Sequence, residues 1–214
     1  MNNLRVSGRV SAVSLVVSGF IVAVALPWHP SIFAHPVDEV VRHFGAWTAL
    51  HAIGVVVSIL ALIGAAGLVA VHEGRMGGLG QTGLTVTLIG VFGTSALSAM
   101  EAIVFPVLAD RAPELLAIDG PLFTSPLFLT AGLLALGWPL GLSLLGVAAA
   151  RAGVFHRAPG VVLAASGPVF LALGGPFVPV AGPLSIVVFG GAQVWWGWLL
   201  WRTRDTPLMP SLDA

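Results

Sequence analysis

The sequence has no cysteine, no lysine and no tyrosine, and only 8% of its 214 residues are charged. Without cysteine, disulfides, iron–sulfur clusters and thiolate metal sites are excluded. All nine basic residues are arginine. That excludes a retinal Schiff base, a pyridoxal-type imine and a Walker-type phosphate lysine. Beside the abundant Ala, Gly, Val and Leu, these absences read as codon pressure in a high-GC genome. No basic stripe is available for nucleic acid. A soluble domain carries about 25% charged residues. This chain is 57% apolar with a formal net charge of zero, too little polar surface to cover a soluble sphere.

What is present comes in apolar blocks of the ~20-residue length that crosses a bilayer. Six spans are expected, at about 10–26, 48–71, 84–108, 125–150, 159–177 and 184–201. Helices are the open option, because lipid offers no partner to an unpaired backbone group. The fold class is therefore all-α, a six-helix transmembrane bundle forming one domain over residues 1–204, with a disordered tail at 205–214. Arginine placement orients it. With the N-terminus inside, Arg5, Arg9, Arg75, Arg151, Arg157, Arg202 and Arg204 are cytoplasmic, and only Arg42 and Arg111 lie outside. That bias follows the positive-inside rule and puts both termini in the cytoplasm of a multi-pass cell-membrane protein. Arg5 and Arg9 before an apolar block also suit a secretory signal, but Leu26-Pro27-Trp28 is a poor cleavage site, so the first span is expected to stay.

After the first span, His35-Pro36 with Asp38 and Glu39 reads as a helix start. A helix continuing from there into the second span would align Glu39, His43, Trp47 and His51 on one face. The inner loops, Gly74–Thr82 and Ala152–Ala158, are short.

Glu101 is the single acid within a span, and a charge buried there costs roughly 2.5–3.5 kcal/mol at the bilayer centre. It should therefore face the bundle interior. Thr87, Thr94, Ser98 and Glu101 stack on one helix face. The stripe is either a polar path or a packing seam of small hydroxyl residues. His51, at similar depth on the preceding helix, is the natural partner for sharing a proton. Whether the two face each other depends on helix rotation.

Gln193 is the other mid-span polar group, suited to interhelical bonding or to contacting a ligand. Trp138-Pro139 puts an aromatic and a kink near mid-span, a combination that suits a cavity wall. Trp195, Trp196, Trp198 and Trp201 suit an interfacial belt. No metal or cofactor is expected. His72-Glu73 lacks the second histidine of a zinc helix motif, and His72 with His156 makes only a weak haem pair.

The stretch from Glu101 through Pro106 to Asp110-Arg111-Ala112-Pro113, with Arg151-Ala-Gly-Val-Phe-His-Arg157, resembles a pattern in small uncharacterised six-helix bacterial membrane proteins. The resemblance covers about Val71 to Arg202 and implies that fold. In type rather than motif, the chain is also similar to small integral-membrane terpene cyclases. That similarity implies a buried acid protonating an isoprenoid in an aromatic pocket. Glu101 would be the acid and His51 its proton partner. Asp38 or Glu39 would be a second acid if their loop folds inward. Trp47, Trp138, Thr94, Ser98 and Gln193 would contact the substrate. Competing expectations are a small proton-coupled transporter or self-resistance exporter, which would have to form a homo-oligomer, and an accessory membrane subunit.

Overall fold

The computed structural model describes residues 8–72, 74–153 and 156–203, and among these every regular element is helical. The elements are α1 (Gly8–Ala25), α2 (Val37–His43), α3 (Trp47–Val71), α4 (Gly77–Arg111), α5 (Pro126–Ala135), α6 (Gly137–Ala152), α7 (Arg157–Val169) and α8 (Ala181–Thr203). Short 3-10 turns follow α1 at Leu26–Trp28 and α4 at Pro113–Leu116, and a π turn at Phe170–Gly174 extends α7. Six runs are long and apolar enough to span a bilayer, α5 and α6 together making one of them. The chain is a multi-pass membrane protein by that measure. The tail at 205–214 lies outside the described residues.

Each span packs on its sequence neighbours. The order α8–α1–α3–α4–α6–α7 returns to α8 and closes a six-helix ring. Gly19 of α1 lies against Gly190 of α8 and Ala12 against Gly197, so these two helices run antiparallel and Gly8 and Thr203 share one end. That half of the ring is filled by Leu15, Leu68, Leu145 and Trp196, all at most 3% exposed. The Trp196 indole N–H donates to the Pro159 carbonyl at 2.9 Å, so this tryptophan anchors α8 to α7. Trp198 and Trp201 are exposed, as an interfacial belt requires. Outward apolar side chains such as Phe20, Val56, Phe92, Leu133 and Val187 are what lipid contact needs in place of a polar surface.

At the opposite end α2 lies across α4. Val37, Val40 and Val41 pack with Phe105, Ala109 and Leu116. Arg42 pairs with Asp38 and also donates to the Ala109 carbonyl at 2.9 Å.

Three departures from the sequence pattern have local causes. The helix through Glu39, His43, Trp47 and His51 does not form. α2 stops at His43, Phe44 takes an extended conformation (ψ 90°) and α3 restarts at Trp47. Gly45, with nothing within 4 Å of where a Cβ would stand, offers that break at little steric cost. α4 begins seven residues earlier than the apolar block, at Gly77 rather than Leu84. Its glycines each disfavour helix by about 1 kcal/mol, but Gly83 lets α4 approach Leu145 and the Gly141 carbonyl of α6 closely. The fourth span breaks between Ala135 and Gly137. Ser125 caps α5 by accepting from the Phe128 N–H at 3.2 Å, with Pro126 in the first turn.

Candidate functional site

The α3–α4 interface builds the site. Its antiparallel register places His51 beside Glu101, Gly54 beside Ser98 and Ser58 beside Ser95. The two serine hydroxyls are 2.9 Å apart. A Cβ added at Gly54 would come within 2.9 Å of the Ser98 hydroxyl and 3.5 Å of its Cβ, so α3 and α4 are in direct contact here and a branched side chain has little room. One turn further along, His51 Nε2 lies 3.3 Å from Glu101 Oε2. Gly54→Val should push the helices apart and separate this pair. Crosslinking between cysteines at 51 and 101, efficient in an otherwise native background, should fail when Gly54→Val is added.

Trp47 holds the pair from behind. Its indole N–H donates to the Glu101 backbone carbonyl at 2.7 Å, tying the start of α3 to α4. Its ring lies 4.3 Å from that of His51 and stacks on Phe105 at 6.2 Å. Pro106, inside α4, removes the N–H that would bond the Ala102 carbonyl, so the Trp47 clamp falls where α4 is weakest. The His51 Nδ1–H donates to the Trp47 carbonyl at 2.7 Å. A carbonyl can only accept, so this bond fixes the ring's tautomer and leaves Nε2 facing the carboxyl.

A third side chain completes the cluster. His29 follows the turn that ends α1, and its Nε2 lies 3.1 Å from His51 Nε2. Its Nδ1–H donates to the Pro30 carbonyl at 2.7 Å. Phe177, from the α7–α8 loop, stacks on the His29 ring at 4.6 Å. Phe177 has φ +52° and Val180 φ +62°, a region that non-glycine residues enter only when the surroundings hold them there.

Burial first, and then the neighbouring His51, hold His29 well below its ordinary range, at about 4. Between about pH 6.5 and about pH 4 the unfolded chain therefore binds this proton before the folded one does. The stabilising contribution is complete above that window and is lost as pH falls through it. Thermal unfolding midpoints measured across the window should fall on acidification, and His29→Phe should flatten that slope.

The cluster borders a cavity of about 570 Å³ at the end of the ring away from Gly8 and Thr203. Glu101, Ser98 and Thr94 line it from α4, His51 and Val57 from α3, Phe123 and Phe128 from the α4–α5 connection and α5, and Trp138 and Pro139 from α6. Phe170 and Phe177 complete an apolar, aromatic wall. Among the described lining residues, the titratable side chains are His29, His51 and Glu101.

No family model, curated protein or solved structure matches this chain.

The structure thus brings His51, Glu101, Ser98, Thr94 and Trp138 to one cavity. It does not bring the other candidates there. Glu39 is exposed on α2, because the helix that would have turned it toward His51 is interrupted at Phe44–Ala46. Trp47 is 3% exposed and lies behind His51, outside the cavity wall. Gln193 is fully buried between α8 and α1, accepting from the Ser18 hydroxyl at 3.3 Å. Thr87 bonds its own Gly83 carbonyl and packs against Gly141, so the lower part of the hydroxyl stripe is a helix seam. His72 is buried and bonded to the Leu68 carbonyl, whereas His156 is exposed beside Trp195. Among the described residues no group of three or more His, Asp or Glu is arranged to hold a metal ion.

His29 is the residue that sequence reasoning missed. Pro27-Trp28-His29-Pro30 stops the first apolar block just past residue 26, and in the sequence it reads as that stop alone. The available signal was depth: a histidine between prolines, level with the start of the second span.

Proposed function

We propose that the protein is a membrane-embedded enzyme that isomerises a lipophilic, isoprenoid-class molecule by proton transfer. The observation that carries this reading is the His51–Glu101 pair, 3.3 Å apart, on the wall of an otherwise apolar cavity. The cavity volume falls within the range of small-molecule sites, which are mostly apolar with a few convergent polar groups. A bound alkene would lie against Glu101. Its π electrons take the proton held by the pair, forming a C–H bond and leaving a carbocation. Attack by a second double bond closes a ring, and loss of a proton from a carbon beside the new cation returns that proton to the pair. Atoms balance without a co-reactant.

Trp138, on the cavity wall, offers its ring to the cation, as aromatic faces do for positive charge. The apolar lining excludes the water that would trap the intermediate. The arginine bias supports a cytoplasmic location for both termini, with the cavity mouth on the outer side of the cell membrane.

The test is Glu101→Gln in the organism that makes the protein, with cells and medium extracted separately and compared by chromatography with mass detection. Loss of one compound with gain of an isomeric linear precursor is the expected outcome. Retention of the same compound in cells and its loss from the medium would instead make the protein an exporter. No change in either fraction, with the protein accumulating normally, would reduce Glu101 to packing.

A further inference from the structure

The Nδ1–H groups of His29 and His51 are both committed to carbonyls, of Pro30 and Trp47 respectively. In neutral rings both Nε2 atoms then carry lone pairs and no hydrogen, yet they stand 3.1 Å apart. Two bare acceptors at that distance repel unless a proton lies between them. Glu101 Oε2, itself an acceptor when ionised, approaches the same His51 Nε2 at 3.3 Å. A proton on Glu101 would satisfy its own contact and leave the two histidines facing lone pair to lone pair. One on His29 Nε2 would leave Glu101 facing a bare nitrogen. On His51 Nε2 it faces both partners.

We propose that His29, His51 and Glu101 hold one shared proton centred on His51 Nε2, and that His29 is the port through which it exchanges with water at the loop end of the bundle. The use of that proton in catalysis rests on the function proposed above; its place in the cluster does not. His29 is suited to the port because it lies outside the span, on the partly exposed connection between α1 and α2, while His51 is only 5% exposed. No other described titratable group lines this cavity: from the elements around it, α3 contributes His51, α4 contributes Glu101, and α5, α6 and the α7–α8 loop contribute none. Glu39 and His43 of α2 are exposed. His29 acts through His51 and is therefore a positioning and relay residue.

The test is nitrogen NMR of the full chain, ¹⁵N-labelled at histidine, in lipid bilayers near neutral pH, with His29 and His51 assigned by single substitution. Expected are Nδ1–H on both rings and one additional proton on His51 Nε2, lost in Glu101→Gln. In His29→Phe, which keeps a ring against Phe177, exchange of that proton with deuterated water should slow at least ten-fold. Nε2–H with bare Nδ1 on both rings, or a His51 signal indifferent to Glu101→Gln, would overturn the shared proton. So would a stoichiometric metal ion in the purified protein. Unchanged exchange in folded His29→Phe, and likewise in His29→Gln, would overturn the port. These readouts need no substrate, so they stand or fall separately from the enzymatic reading.

Discussion

Glu101→Gln should lower turnover in isolated membranes by roughly 10²–10⁴-fold, the usual contribution of a positioned general acid or base. The same variant should accumulate and unfold much like the parent. Glutamine matches glutamate in shape, and its amide can donate to the His51 Nε2 that faces it at 3.3 Å. A collapse in rate at constant protein level separates a chemical role from a structural one. If the variant were instead degraded while the surviving fraction stayed active, Glu101 would be a packing residue. The proton donor would then have to be sought elsewhere.

Gly90→Val should abolish accumulation of folded protein. Gly90 of α4 faces the junction where α5 ends and α6 begins. A Cβ built there lands on the backbone nitrogen of Trp138 and the carbonyl carbon of Gly137. No side-chain rotation relieves a clash with backbone, so α4 and α6 must separate. Ordinary overpacking costs about 1–3 kcal/mol, and this case belongs at or above the upper end of that range. The separation would also displace Trp138 from the cavity wall. Gly78→Ala is the control, because nothing lies within 4 Å of its Cβ position and its backbone is helical. That change should be neutral or slightly stabilising, since alanine suits a helix better than glycine. Accumulation in membranes and thermal midpoints of the two variants provide the comparison.

The six spans were legible because hydrophobic length is a property of each segment alone. The pairing of His51 with Glu101 was only half legible. Depth could be read from the distance of each residue from its span's end, but rotation about the helix axis could not. That rotation is defined by contacts across the interface, such as Gly54 against Ser98, between residues 44 positions apart in sequence. Glu39 shows the converse failure. Its periodicity with His43, Trp47 and His51 was correct for one continuous helix, but a three-residue interruption at Phe44–Ala46 rotates α2 out of register. Gly45 alone does not mark the break, because glycines also lie within α4, at Gly83, Gly90 and Gly93, where they let that helix pack closely on α5 and α6. His29 was hidden by its neighbours. Two prolines marked a chain stop, and a stop gives no indication of where its side chains return.

The most direct test of proton-initiated chemistry follows the atom itself. Membranes carrying the wild-type protein would be incubated in deuterated water with the precursor that accumulates in Glu101→Gln cells, and the product analysed by mass and deuterium NMR. With the cluster exchanging its proton with water as proposed, the product is expected to carry deuterium on the carbon protonated at the start, with none incorporated in Glu101→Gln membranes. Conversion to the same product without deuterium on that carbon, or equal incorporation by the variant, would contradict this chemistry.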